Sequence, residues 1–304
     1  MTKRSSNPFH SSTCSLPSLV CVVGIHVQVM CEILLLLRKL SNQATPPRFF
    51  RCPEDVLKRQ VLPFLQLKDV ACLDSALANH TWRKYFHTSL REAVLDGVVD
   101  IRYLNWCRAR KCSAKTLVVT NAIDNANQVV EGLHFEVLEV SATAKGTEHA
   151  LYRVLTKVQS CRTLNVESFC FMRIHPFLPP DMDLPLLEIN ARGSLYLQEN
   201  VLVALVKRCP LLRVIDATRC FKFKNKLPLA LAEHCSNLQE VRLSAHGRMD
   251  EADHEYNSGF CELFQNCRQL QVVQCVGCVT VQNMQTLADS CRKLTSVTLR
   301  WFSV

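Results

Sequence analysis

Cysteine is the residue type with which this chain could most readily do chemistry, since 17 of its 304 residues are cysteines. Two of them form the motif Cys275-Val-Gly-Cys278, a spacing used by zinc ligands and by thiol–disulfide redox sites. A structural zinc site needs four ligands, and the sequence contains no second Cys-x-x-Cys pair. Cys275 also stands at an apolar position of a repeated segment. We therefore interpret the motif as core packing and predict no metal site.

Other residue types that carry catalysis do not occur in a recognisable arrangement. His80, His87, His234 and His254 each lack an acidic or nucleophilic partner at the spacing of a known motif. The chain also contains no glycine-rich phosphate-binding loop, no zinc-protease helix motif and no nucleophile elbow. These observations predict a protein that is not an enzyme and that uses no cofactor.

A repeated segment positions many of the cysteines. Its clearest copies are CPLLRVIDA, CSNLQEVRL, CRQLQVVQC and CRKLTSVTL, which begin at Cys209, Cys235, Cys267 and Cys291. In each copy, apolar or small residues follow three, six and eight positions after the first cysteine. A period of about 25 to 30 residues with one short strand per copy is typical of leucine-rich repeats. Because one strand-plus-helix unit cannot bury its apolar face alone, such units stack on their neighbours.

The same strand pattern extends towards the N-terminus. Apolar runs at helical spacing, such as ENVLVALVKRC, separate the candidate strands. The sequence therefore predicts an α/β fold in which residues 97–304 form a leucine-rich-repeat solenoid, a horseshoe of about eight units. The predicted strands are centred on Leu117, Leu138, Leu164, Leu187, Ile215, Val241, Val273 and Val297.

Two further features belong to the end of this array. The longest interval between strands contains the polar segment 246–260, for which we predict an exposed loop. The final strand is followed by Trp301-Phe302-Ser303-Val304, without the polar cap that repeat arrays normally have. The alternatives for this end are a truncated chain, an incomplete gene product and a last unit that packs against a partner.

The composition fits a folded chain, since 48% of the residues are hydrophobic and 21% are charged. The net charge is +9, but lysine and arginine are dispersed rather than grouped, so we predict no nucleic-acid partner. The cysteines fit buried free thiols in a reducing compartment better than the disulfide framework of a small secreted protein. The predicted localisation is cytoplasmic, with the nucleus as an alternative.

Residues 1–48 form an N-terminal extension that ends near the linker Pro46-Pro47. Within it, residues 16–37 are mostly apolar and long enough to cross a bilayer. The polar members His26, Gln28 and Glu32 would be costly in hydrocarbon, and no convincing cleavage site ends the run. A membrane anchor and a signal peptide stay open as alternatives, and we favour a buried or amphipathic helix or a segment outside the fold.

Residues 49–96 form a predicted module of three short amphipathic helices. The first begins at Pro53-Glu54-Asp55, since proline and acidic residues favour the first turn of a helix. The segments PEDVL, VLPFL and LKDV, followed by Trp-Arg, have the order and spacing of an F-box, and the module resembles that family. The resemblance implies docking on a Skp-family adaptor of a cullin–RING ubiquitin ligase. The implied apolar contacts are Pro53, Val56, Leu57, Val61 and Leu65.

The repeats carry a second resemblance. Their Cys-x-x-Leu-x-x-Val-x-Leu copies, with further cysteines at Cys220 and Cys278, are similar to the cysteine-containing leucine-rich repeats of F-box proteins. This resemblance implies that the repeats form a surface that recognises a substrate protein, while other subunits perform the ubiquitylation.

Strand positions that alternate with the buried ones point to the concave side of the predicted horseshoe. The first two-thirds of that side is acidic, although the whole chain is basic. We therefore predict contacts to a basic segment of the substrate, with ordinary solvation as the alternative. The outward positions are Glu139, Asn165, Glu188, Asp216, Arg242, Gln274 and Thr298, and the predicted contacts are Glu139, Glu167, Glu188, Asp216, Glu240 and Arg242.

Together these features predict the substrate-recognition adaptor of a Skp–cullin–F-box-type ubiquitin ligase. One alternative is a repeat scaffold without a ubiquitin link, in which the N-terminal helices only cap the first repeat. The other is a membrane-anchored repeat protein, which requires residues 16–37 to insert into a bilayer.

Overall fold

The computed structural model describes most of the chain from Leu67 onwards. The described residues are 62, 65–77, 80–91, 93–119, 130, 133–140, 151, 154–157, 160–168, 182–195, 197–220, 225–244, 255–276 and 279–300. The helices are α1 (Leu67–Ala76), α2 (His80–Leu90), α3 (Ile101–Arg110), α4 (Glu199–Val206), α5 (Lys226–His234), α6 (Glu255–Asn266) and α7 (Val281–Ser290). The strands are β1 (Val94–Val99), β2 (Ser113–Val119), β3 (Val137–Val140), β4 (Thr163–Asn165), β5 (Glu188–Asn190), β6 (Val214–Ala217), β7 (Glu240–Ser244), β8 (Val272–Val276) and β9 (Ser296–Arg300).

The nine described strands form one sheet in which all neighbours are parallel and the strand order follows the chain order. Parallel neighbours cannot be joined by a tight turn, so each connection crosses over. Helix α3 lies in the first connection, and α4 to α7 lie in the last four. Helices α4 to α7 contact one another in chain order and share one core with the sheet. The fold is therefore α/β, as predicted.

Rows of buried side chains run across the sheet because the strands keep one register. The hydrophobic effect favours this arrangement by about 1.5–3 kcal/mol for each large aliphatic side chain that is fully buried. The central row, whose members are at most 1% exposed, is Leu117, Leu138, Leu164, Ile189, Ile215, Val241 and Val273. The row three residues earlier in the chain is also buried and consists of Ala114, Phe135, Cys161, Leu186, Leu212, Leu238 and Leu270.

One predicted strand centre is wrong. The strand expected around Leu187 is centred two residues later, on Ile189, which pairs with Leu164 and Ile215. In the clear copies a cysteine precedes the central residue by six positions, but here that position is Asp183. Without a cysteine to mark the copy, the run LPLLEIN fits a strand centred on either Leu187 or Ile189.

The sheet also begins earlier than the predicted solenoid. Strand β1 lies at the end of the predicted helical module and continues the sheet beyond β2. A bulge between Leu95 and Val98 interrupts its alternation, and Gly97 there has a left-handed φ of 134°. A Cβ atom at Gly97 would lie only 3.3 Å from the Cβ of Leu67, so glycine allows α1 to approach the strand.

Part of the predicted exposed loop 246–260 is helical. Residues 255–260 are the first turns of α6, and Phe260 is buried. Its ring centroid lies 5.9 Å from that of Phe264, one helical turn later. The polar composition of the segment hid these turns, because its apolar residues are few and widely separated.

Candidate partner-binding face of the sheet

The side chains that alternate with the buried rows form what we call the open face of the sheet. Neighbouring strands lie about 4.8 Å apart, so residues paired in register are close neighbours on this face. The first open row is Glu139, Asn165, Asn190, Asp216, Arg242, Gln274 and Thr298. The second open row is Val137, Thr163, Glu188, Val214, Glu240, Val272 and Ser296.

The position predicted for Glu188 is corrected by this register. Asn190, and not Glu188, stands beside Asp216 in the first open row, while Glu188 pairs with Val214 in the second. The difference follows directly from the frame of β5, which begins at Glu188. In the first open row an amide therefore stands where an acidic residue was predicted.

Three consecutive members of the first open row close the turns that follow their strands. The Oδ1 atoms of Asn165 and Asn190 each accept a hydrogen bond from the backbone N–H two residues later, at 3.1 Å. Asp216 Oδ1 accepts from both the N–H and the hydroxyl of Thr218, at 2.9 and 2.7 Å. This local bond is the Asx turn that Asn and Asp favour. Asp216 is thus engaged within the chain rather than available in full to a partner.

A left-handed residue follows each of these turns at the same place. The φ angles of Ser168, Gly193 and Arg219 are 56°, 68° and 59°. Such angles are uncommon for residues other than glycine, asparagine and aspartate, so the surrounding bonds must hold them. One such bond is donated by the N–H of Ser168 to the carbonyl of Arg192 at 2.8 Å. The repeat therefore specifies the turn as well as the strand.

Glu240 and Arg242 lie on the same side of β7 and form an ion pair. Arg242 Nη2 donates to Glu240 Oε2 at 2.6 Å, and each side chain is 32% exposed. The pair cancels charge at the middle of the open face. The structure therefore separates these two predicted contacts from the acidic residues that precede them.

The remaining predicted acidic contacts lie on or beside three adjacent strands. Glu139 is exposed in β3, Glu188 is half-buried in β5, and Glu167 is exposed in the turn after β4. The structure brings these three residues to one end of the open face. A cationic side chain of a partner would find its electrostatic complement there.

The cysteines that begin the repeats are buried, as predicted, and the thiols of Cys235, Cys267 and Cys291 donate towards the preceding unit. The Sγ atoms of Cys235 and Cys267 lie 3.5 and 3.4 Å from the carbonyl oxygens of Cys209 and Cys235. Burial raises the pKa of both Cys235 and Cys267 to about 12, and a neighbouring cysteine adds to the effect. A thiol with so high a pKa is a packing group and not a nucleophile at neutral pH.

In the part of the chain that the structure describes, no cluster of three or more histidine, cysteine, aspartate or glutamate side chains could hold a metal ion. Cys275 is 1% exposed and belongs to the buried row of β8. Its predicted motif partner Cys278 lies outside the described residues.

A group of cations lies where α6 and α7 end. Arg268, Arg292 and Lys293 are exposed around an open groove that also includes Asp289. Arg268 Nε donates to the carbonyl of Gln265 in the last turn of α6, at 3.2 Å. The C-terminus of a helix carries partial negative charge, so these cations are accounted for by the helix ends that they follow.

Sequence reasoning did not single out Asp74, which the structure places at a junction of three helices. Its side chain is 3% exposed and accepts hydrogen bonds from His87, Trp106 and Arg110. The available signal was a carboxylate next to the apolar face of α1, directly after Leu73. Its partners lie up to 36 positions away in the chain, so no local pattern could have identified them.

Of the five predicted contacts to a ligase adaptor, the structure describes only Leu65. Pro53, Val56, Leu57 and Val61 lie outside the described residues. Leu65 is partly buried and packs against the core shared by α1 and the sheet. Its side chain therefore serves the fold of this chain as well as any surface that it presents.

The apolar segment 16–37 also lies outside the described residues. Within the ranges that the structure covers, no helix combines the length and the apolar character needed to cross a membrane. A scan against protein-family models and a search of curated proteins found no match to this chain.

Proposed function

We propose that this chain is a substrate-recognition adaptor of a Skp–cullin–F-box-type ubiquitin ligase. In this proposal the sheet and its helices are a leucine-rich-repeat horseshoe, and the residues before β1 belong to an F-box-like module. The observation that carries the proposal is the parallel sheet in chain order, with buried cysteines beginning its repeats, preceded in the chain by a segment whose sequence has F-box spacing.

The adaptor would act without chemistry of its own. Holding a substrate lysine close to a charged conjugating enzyme raises its effective concentration and replaces a bimolecular encounter by a local one. The buried, high-pKa thiols of the repeats suit this role, because they stabilise a rigid scaffold and do not compete for activated ubiquitin.

The substrate would present a basic segment to the open face. Glu139, Glu167 and Glu188 support this part of the proposal, since they lie on or beside three neighbouring strands. Asp216 and Glu240 contribute less, because Thr218 and Arg242 already occupy their carboxylates.

The decisive experiment is affinity capture of the full chain from cell extract, with Leu57→Arg as the test variant. We expect the unchanged chain to capture a Skp-family adaptor and a cullin, and the variant to lose both. Leu65→Arg is a poorer test, because Leu65 packs against the core and its substitution would also disturb folding. Leu211→Arg is the matched control, since it is the same substitution at a leucine that is 47% exposed and lies far from the module, between α4 and β6.

Capture of neither protein by the unchanged chain would overturn the ligase proposal and favour the repeat scaffold. Equal capture by Leu57→Arg would show that the predicted docking residues are wrong. The membrane-anchored alternative is tested separately by fractionating cells that express residues 1–48 fused to a reporter; a fully soluble fusion would exclude it.

A further inference from the structure

Asp74 joins the N-terminal helices to the first unit of the sheet. The residue lies in α1, while the groups that bind it come from α2 and α3. Helix α3 connects β1 and β2, so it belongs to the sheet and not to the proposed module. One buried carboxylate is therefore shared by three helices on the two sides of a junction.

The geometry leaves little freedom at this carboxylate. His87 Nε2 lies 2.6 Å from Oδ1, and Trp106 Nε1 donates to Oδ2 at 3.1 Å. Arg110 donates to the same Oδ2 through Nε and Nη2, at 3.1 and 2.7 Å. The Arg110 guanidinium also lies 5.9 Å from the centroid of the Trp106 ring, which favours a cation–π contact.

A further hydrogen bond holds the backbone at the C-terminal end of α1. Arg83 of α2 donates through Nη2 to the backbone oxygen of Asp74 at 2.9 Å. This carbonyl lies in the last turn of α1, where backbone oxygens lack a partner within the helix. At the other end of the helix, Gln66 forms a parallel bridge with Asp96, and Leu67 lies against Gly97.

The hydrophobic effect that drives these helices onto the sheet has no direction of its own. Hydrogen bonds to a charged group are directional, and they are stronger than bonds between neutral groups. Helix α1 is bonded at both ends, through the bridge at Gln66 and through the bonds to Asp74. We infer that Asp74 is a positioning residue that holds α1 and α2 in a single orientation relative to the sheet.

The part that Asp74 would play in substrate recognition rests on the proposed function. If the residues before β1 dock on a ligase adaptor, the orientation of α1 and α2 determines where the open face holds a substrate. The role of Asp74 in orienting α1 and α2 does not depend on a ligase, so it is tested on the isolated full-length chain.

The test is hydrogen–deuterium exchange measured by mass spectrometry on the unchanged chain and on Asp74→Asn and Arg110→Ala. We expect amide exchange in α1 and α2 to accelerate about tenfold or more in both variants, while exchange in β6 to β9 stays unchanged. Arg110→Ala leaves α1 intact, which keeps the test valid if Asp74→Asn folds poorly. Ser75→Ala is the control, because Ser75 is exposed and its hydroxyl donates to the carbonyl of Ala71 in the same helix.

Unchanged exchange in α1 and α2 in both variants would overturn the inference. Equal acceleration across β6 to β9 would also overturn it, because Asp74 would then support global stability and not orientation. Failure of the unchanged chain to capture a Skp-family adaptor would remove only the proposed function. The two ideas therefore fail by different measurements.

Discussion

Arg242 neutralises Glu240 on the open face of the sheet, with 2.6 Å between Nη2 and Oε2. The two residues lie two positions apart on β7, so their side chains emerge on the same side of the strand. Exposed pairs of this kind contribute at most about 1 kcal/mol to stability, but they cancel local charge. The acidic character of the face is consequently concentrated around β3 to β5.

We predict that Glu139→Lys combined with Glu188→Lys weakens the binding of a lysine-rich peptide to the chain. Each reversal removes an attraction of up to about 1 kcal/mol, and raising the salt concentration should reduce the difference by screening. Fluorescence anisotropy with a labelled lysine-rich peptide measures the effect. Glu233→Lys combined with Glu262→Lys is the charge-matched control, because Glu233 is exposed on α5 and Glu262 on α6. Equal weakening by the control would mean that only net charge matters.

Asp216→Asn should leave both stability and peptide binding almost unchanged. Asparagine already closes the equivalent turns at positions 165 and 190, so its side-chain oxygen can replace the carboxylate towards Thr218. Asp216→Ala removes that acceptor, and we expect it to lower the free energy of unfolding by about 1 kcal/mol. Chemical denaturation compares the two variants. A large loss of peptide binding in Asp216→Asn would instead make Asp216 a direct contact.

Gly259→Ala should destabilise the contact between α5 and α6. A Cβ atom at this position would lie 2.0 Å from Asn225 Oδ1, which accepts a hydrogen bond from the Gly259 N–H at 2.8 Å. We expect a loss of about 1–3 kcal/mol in the free energy of unfolding, as for other overpacked sites. Asn225→Ala should cost less when Gly259→Ala is already present, since the two residues share one contact. Strict additivity in denaturation experiments would contradict this explanation.

The repeat cysteines should resist alkylation in the folded chain. Burial raises the pKa of Cys235 and Cys267 to about 12, so little thiolate exists at pH 8, whereas Cys72 is exposed on α1. Brief treatment with iodoacetamide followed by peptide mass spectrometry should show labelling at Cys72 and almost none at Cys235 or Cys267. Denaturant should make all three reactive. Rapid labelling of Cys235 without denaturant would show that the repeats open readily.

Asp74 should make stability depend on acid pH. Burial by itself would raise its pKa, but the hydrogen bonds from His87, Trp106 and Arg110 outweigh burial and hold the pKa below its ordinary value. A lowered pKa contributes stability above the unfolded-state value of about 3.9, and the contribution is lost as pH falls through the folded-state value. The difference in unfolding free energy between the unchanged chain and Asp74→Asn should therefore shrink below about pH 4. Denaturation series at pH 7 and pH 3 measure it; a constant difference would contradict the assignment.

The rows of the core were predictable because their spacing repeats within each unit. A cysteine followed by apolar residues at fixed intervals located the strands at Ile215, Val241 and Val273 without ambiguity. Asp183 stands where the other copies have this cysteine, and the strand centre was therefore predicted at Leu187, two residues before its actual position at Ile189. Strand β1 escaped prediction because its bulge at Gly97 breaks the alternation on which strand patterns depend.

The open face was harder to predict than the core. Sequence alternation shows which side of a strand a residue occupies, but not whether its side chain is already paired with another residue of the same chain. The bonds of Asp216 to Thr218 and of Glu240 to Arg242 depend on side-chain geometry. The hydrogen bonds of Asp74 were harder still to predict, because its partners lie on two other helices and are distant in the chain.

The order of the strands has a consequence for how disturbances spread. Each described strand exchanges hydrogen bonds only with the strands before and after it in the chain, so the cooperative coupling is between nearest neighbours. A local perturbation at Val297, which is 47% exposed in β9, must cross every intervening interface to reach α1. The strength of the coupling between the two ends is therefore set by the interfaces between them, and a mutation at one end is expected to act first on the repeats beside it.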